Sequence, residues 1–229
     1  MAATWRRWLL ASLVVVAALG SGCNLLSVPF FLLGPEPKVE PLLKKLASDS
    51  KDKEVKVVVL AYGGLETRPE FLRADRELSN LLVRQLKEHC KYNGEKVAMV
   101  APAKVEEFKN THPDWHTMNL EDIGSRFDAN YVIYLEINKL SLYETGSANL
   151  IYRGRADITV SLVDVDHPDE GVMQKEFTCE YPGDASGGVP IDDKNQRVFL
   201  AEFYKQLAVE LSWHFTSHPT REDHEINCQ

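Results

Sequence analysis

Residues 129–166 read ANYVIYLEINKLSLYETGSANLIYRGRADITVSLVDVD, and this stretch decides the fold. Ala156, Ile158, Val160 and Leu162 alternate with Asp157, Thr159 and Ser161, the period of two that turns one face of a strand inward and the other to water. The pattern predicts strands over Asn130–Tyr143 and Ala148–Asp166, joined by a turn at Glu144-Thr145-Gly146-Ser147. A third strand is predicted over Val172–Tyr181, after a turn at Asp166–Gly171. The first two exceed the usual five or six residues, so their ends are expected to project beyond the core. Upstream, Glu54–Tyr62 is a β-branched run long enough for a buried strand, ended by Gly63-Gly64. Thr67-Arg68-Pro69-Glu70 has capping-box spacing and opens a helix whose Phe71, Ala74, Leu78, Leu82 and Leu86 share one face. Asn93-Gly94 closes it, and Lys96–Ala101 is a second strand. Short helices follow around Ala103–Lys109 and Leu120–Phe127. Downstream, Asp193–Phe215 is a helix that buries Leu200, Phe203, Tyr204, Leu207, Leu211 and Phe215. The order β-α-β-α-β-β-β-α predicts a single α+β domain over residues 54–216, with helices packed on a mixed β-sheet.

Three stretches resemble a group of bacterial envelope proteins: VKVVVLAYG at 55–63, the amphipathic helix at 70–89, and LEDIGSRFDANYVIYLEI at 120–137. The group includes the curli-secretion lipoprotein, lipoprotein activators of penicillin-binding proteins, and the amino-terminal domain of the Tol–Pal propeller protein. Ile123 and Gly124 precede a strand beginning near Asp128-Ala129-Asn130-Tyr131, as in the group's "lGa-d-vl-G" text. The ADITVSLVDVD strand and the closing helix with Phe203 complete a likeness over roughly residues 54–216. It implies an α+β envelope domain and carries no catalytic signature. Glu136 stands where relatives often have Gly. No pair of bilayer-length hairpins with an apolar band is present, so pore formation is not expected.

Residues 1–22 are read as an export signal. Arg6 and Arg7 form a positive start, Trp8–Leu19 an apolar run, and Gly20, Ser21 and Gly22 a small-residue stretch before Cys23. A run of 12 residues covers about 18 Å, short of the ~30 Å hydrocarbon layer, which suits a cleaved signal better than a spanning helix. Ser21-Gly22-Cys23 resembles the lipobox of bacterial lipoproteins, although Gly20 stands where that family usually carries Leu. The resemblance implies cleavage before Cys23, a diacylglycerol on its sulfur and a fatty acid such as palmitate on its amino group. Two or more chains hold a protein durably to a bilayer where one does not. Asn24, where an Asp would favour inner-membrane retention, implies the outer membrane facing the periplasm.

Without the signal, 24 Lys and Arg oppose 34 Asp and Glu, a net charge of −10. That balance excludes nonspecific nucleic-acid binding and electrostatic attraction to anionic lipid. Residues 23–53 are read as the lipidated cysteine and its tether. Leu25, Leu26, Phe30, Phe31, Leu32 and Leu33 are apolar enough either to rest in the membrane interface or to pack on the domain. Pro35, Pro37 and Pro41 favour extended chain, and a short helix is expected at Pro41–Ala47. Residues 217–229 are read as a polar C-terminal tail.

Candidate chemistry is sparse. Cys90, Cys179 and Cys228 remain after Cys23, and a Cys90–Cys179 disulfide with Cys228 free is one possible pairing. His214, His218, His224 and Cys228 lie close in sequence, but their spacing is looser than structural zinc motifs show. His112 and His116 read as loop residues, and Asp164 and Asp166 as solvated carboxylates near a turn. The Gly183–Gly188 loop faintly resembles the nucleophile loop of trypsin-type proteases, but Ala185 spoils the spacing. No cofactor or metal site is expected. The expectation is a noncatalytic, lipid-anchored envelope protein that binds or scaffolds other envelope proteins, with Leu140, Leu142, Leu150 and Tyr152 at the hairpin as the candidate protein-binding residues, a pattern that reads equally as core. The alternative is an oligomeric lipoprotein subunit of an export or surface-polymer assembly; a periplasmic hydrolase ranks last.

Overall fold

Val57, Val58, Val59, Leu60 and Ala61 are buried on both faces of their strand, as a continuous apolar run between two layers should be. The computed structural model describes residues 38–47, 53–64, 69–183, 187–219 and 227–228. In chain order its strands are β1 (Lys38–Val39), β2 (Val55–Gly63), β3 (Val97–Met99), β4 (Tyr131–Tyr143), β5 (Ile151–Asp164), β6 (Val172–Tyr181), β7 (Val189–Pro190), β8 (His218–Pro219) and β9 (Asn227–Cys228). Its α-helices are α1 (Ala74–Tyr92), α2 (Pro102–Thr111), α3 (Leu120–Arg126) and α4 (Gln196–Ser212). The main sheet has the order β3-β2-β4-β5-β6-β9, with β7 also paired to β5. It is parallel across β3-β2-β4 and antiparallel from β4 onward, a mixed sheet in a single α+β domain.

Two cores follow from the strand pleat. The face bearing Val57, Ile133, Ile158 and Phe177 packs under α1 and α4, against Leu78, Leu82, Phe203, Leu207 and Leu211. The opposite face is covered over β2 and the first part of β4, where Val58, Leu60 and Val132 meet Val105, Phe108, Trp115 and Ile123. Past Tyr134 the second face is polar, carrying Glu136, Asn138, Arg155, Asp157, Thr159 and Glu176. The expected alternation along β5 is therefore present, with Ala156, Ile158, Val160 and Leu162 on the core side.

Two glycines mark where elements approach too closely for a side chain. A Cβ on Gly124 would stand 2.7 Å from Cγ2 of Val132 and also strike Val165, so α3 lies directly on the sheet. A Cβ on Gly154 would stand 2.7 Å from the Phe203 ring, where α4 crosses β5.

Local expectations fail where tertiary partners compete. Residues 41–47 form no helix: the Leu43 and Lys44 amides donate to His214 O and the Leu46 amide to Phe215 O. The first long helix starts at Ala74, after a 3-10 turn at Pro69–Phe71, with no side-chain cap on Arg73; Thr67 and Arg68 lie outside the described residues. Part of the stretch read as a tail is paired, since β8 binds β1 and β9 binds the end of β6.

Candidate functional site: a docked strap and the two ends of the domain

The chain enters the domain as a strap, residues 38–47, whose backbone is tied to the carboxyl end of α4 at 3.0–3.4 Å. Lys38 and Val39 pair with Pro219 and His218, and the Leu46 side chain is fully buried. A clasp fastens the strap to the sheet. Lys44 Nζ donates to Asp164 Oδ2 at 2.9 Å and to Glu170 Oε2 at 3.3 Å, and lies 5.2 Å from the Tyr131 ring centroid. Asp164 also accepts from the backbone amides of Asp166 and His167 and faces His167 Nδ1 at 3.2 Å. Burial pushes the Asp164 carboxyl up, but the Lys44 ammonium and His167 outweigh it and hold the group below the usual carboxylate range. Burial opposes the charge on Lys44 too, yet the Asp164 bond and charge raise its pKa. Asp164 is thus a buried, paired carboxylate, correcting the expectation of a solvated one. With Lys45, Lys53 and Tyr131 these groups line an open cavity of about 440 Å³.

Beside the clasp, Asn93 at the end of α1 donates to Thr216 Oγ1 and Ser217 O and accepts from Lys38 Nζ at 2.6 Å. Thr216 donates to Glu95, whose other oxygen lies 3.4 Å from Lys45 Nζ. Cys90 is buried in this network; burial and the Glu95 charge push its thiol up to about 12, so it is no nucleophile at neutral pH. The disulfide joins Cys179 to Cys228, not Cys90 to Cys179, because β9 lies on the outer edge of β6 and sets those two residues opposite each other.

The other candidate ligands are dispersed. His214 is buried with Nδ1 3.3 Å from Glu210 O, and desolvation lowers its pKa to about 4. His218 stacks on Trp213, Cys228 is in the disulfide, and His224 lies outside the described residues. His112 stacks on Phe108 and His116 on Tyr62. Among the described residues no group of His, Cys, Asp and Glu is placed to hold a metal ion. Of the glycine loop, Asp184, Ala185 and Ser186 lie outside the described residues. One pairing has no sequence signal, being 123 residues apart: Ser212 Oγ lies 2.9 Å from His89 Nδ1. Ser212 is buried and donates its proton to Val209 O at 2.6 Å, so the pair joins α1 to α4 and does not resemble an activated hydroxyl.

The strand directions sort the exposed apolar residues into two sets. The starts of β2, β4 and β6 and the end of β5 share the strap end with the last turns of α1 and α4. There Val39, Leu42, Tyr92 and Val172 are exposed. The β4–β5 turn, β7 and the starts of α1 and α4 form the far end, where Leu72, Leu150 and Val198 are exposed. Of the four hairpin residues singled out, Leu142 and Tyr152 are core, Leu140 is partly buried against them, and Leu150 alone faces solvent. Tyr152 stacks on Phe199 at 5.0 Å, which ties the hairpin to α4. Cys23 lies outside the described residues.

Among the described residues, no helix is long and apolar enough to cross a membrane. No family model and no curated protein matches the chain. Among solved structures, it is similar to a PelC dodecamer from Paraburkholderia phytofirmans, with 14% identity, 80% of this chain and 97% of that chain covered, and a TM-score of 0.44. It is also similar to lipoprotein GNA1162 from Neisseria meningitidis (12% identity, 67% and 98% covered, TM-score 0.42) and to protein XCC0632 from Xanthomonas campestris (11%, 76% and 91%, 0.41).

Proposed function

We propose that this chain is a noncatalytic, lipid-anchored protein of the bacterial cell envelope, exported by residues 1–22, acylated at Cys23, and binding other envelope proteins through the far end of its domain. The observation that carries this reading is the exposure of Leu72, Leu150 and Val198 at the end opposite the strap. Exposed apolar side chains at one end of a domain are positions that a protein partner would cover. The signal order and Cys23 support the anchor. The buried Leu46 and the Lys44–Asp164 clasp hold residues 38–47 against the domain. Outer-membrane placement is the finer part of the reading and rests on Asn24.

A photo-crosslinking residue at Leu150, irradiated in intact cells, is expected to yield a discrete conjugate that the same residue at the exposed Lys205 does not. Equal patterns from both positions defeat the binding site. Metabolic labelling with a fatty-acid analogue is expected to mark the native chain and not Cys23→Ser, and equal labelling defeats the anchor. A second reading, an oligomeric subunit of an export or surface-polymer assembly, is favoured by one observation. Among the described residues, only β9 pairs with the outer edge of β6, at Cys179 and Glu180, leaving Val172–Thr178 open to another strand. Light scattering of the size-fractionated lipoprotein separates a monomer from a ring.

A further inference from the structure

We infer that the strap end is the face the domain turns to the bilayer, with Val39, Leu42 and Tyr92 resting at the headgroup boundary; this rests on acylation at Cys23. The argument begins with chain length. Fourteen residues separate Cys23 from Lys38, so the tether spans about 50 Å at full extension. Its exit is held by the β1–β8 pairing, the Lys38–Asn93 bond and the buried Leu46. The far end is displaced by the length of β4, 13 residues or about 40 Å. A tether running that distance along the domain would keep almost no chain for the bilayer, whereas Leu25, Leu26, Phe30, Phe31, Leu32 and Leu33 are apolar and suit the interface. With those residues at the interface, only Gly34–Pro37 remains as a spacer, about 15 Å of chain.

The chemistry of the strap end agrees. Leu42 is 58% and Tyr92 69% exposed, and Lys38 Nζ lies 4.7 Å over the Tyr92 ring. Aliphatic, tyrosine and lysine side chains together suit the boundary between headgroups and acyl chains. The acidic chain has no net attraction to anionic lipid, so the contact depends on the tether and on these apolar residues. The orientation leaves Leu72, Leu150 and Val198 pointing away from the membrane.

The test uses the full-length acylated protein on phosphatidylethanolamine–phosphatidylglycerol vesicles. Cys90 is buried, Cys179 and Cys228 are bonded, and Cys23 is acylated in this reading, so an introduced thiol can be labelled selectively with an environment-sensitive fluorophore. With nitroxide lipids in the vesicles, the probe at Leu42→Cys is expected to lose about half its emission, and that at Leu150→Cys almost none, since interfacial residues sit within ~10 Å of the acyl boundary. Tyr92→Cys provides a second strap-end position if the first variant folds poorly. Equal quenching at both ends, or stronger quenching at Leu150→Cys, overturns the orientation. Vesicle flotation and intact mass are measured on the same samples. Floating, acylated protein with an unquenched strap end refutes the orientation alone; protein without acyl mass that stays off the vesicles refutes the anchor, and the orientation with it.

Discussion

His214 makes the domain acid-sensitive in a defined window. The ring is buried against Phe177, whose centroid is 5.4 Å away, and among the described residues its Nε2 has no hydrogen-bond partner. Desolvation, aided by Lys175 and His218, brings its pKa to about 4 against an ordinary 6.5, with the Glu210 carbonyl opposing. Above pH 6.5 the ring is neutral in both folded and unfolded chains and has no effect on stability. Below 6.5 the unfolded chain takes up a proton that the native ring refuses, so stability falls as pH falls and levels off below about 4. The loss is about 2 kcal/mol at pH 5 and about 3 kcal/mol in full. For a domain of this size, 2 kcal/mol lowers the thermal midpoint by about 4–8 °C. Thermal unfolding of the native chain and of His214→Phe, followed by circular dichroism from pH 7 to 5, checks this. The native midpoint should fall by that amount more than the variant's. His89, lowered by burial, contributes equally to both and cancels. Parallel falls would refute the reasoning. Because the His214 carbonyl accepts two strap amides, acid should also expose the strap to protease before the sheet melts.

Asp164→Ala leaves two backbone amides without their acceptor and Lys44 with only Glu170; it should cost about 2–4 kcal/mol in urea unfolding and speed tryptic cleavage after Lys44 and Lys45. Gly154→Ala drives a methyl into the Phe203 ring and should cost about 1–3 kcal/mol, with Phe203→Leu recovering part of it in a double-mutant cycle. Cys228→Ser opens a loop between residues 49 apart and should lower stability by up to about 4 kcal/mol, an effect that reductant reproduces in the native chain and not in the variant.

The strands 131–143, 151–164 and 172–181 were legible because a half-buried strand repeats every two residues, and the long helices because one helix face repeats every three to four. The error at residues 41–47 has the same source: Leu42, Leu43 and Leu46 have helical spacing, but their backbone donors are claimed by carbonyls about 170 residues downstream. The hairpin posed the same difficulty, since Leu140, Leu142, Leu150 and Tyr152 read from sequence equally as binding or as core residues. Leu142 and Leu150 are alike in sequence, and only the packed structure takes one into the core and leaves the other exposed.

By itself, the sequence carried the long strands and the main helices of the α+β domain, and it is the whole basis for proposing an export signal at residues 1–22 and acylation at Cys23, since each rests on local composition or period. The tertiary structure alone decided that Cys179 finds Cys228, that Asp164 holds Lys44, and that exposed apolar residues collect at two opposite ends. Those pairings span from 49 to 120 residues of chain, and no local pattern carries them. They are set by which faces must be buried together, a property of the packed whole.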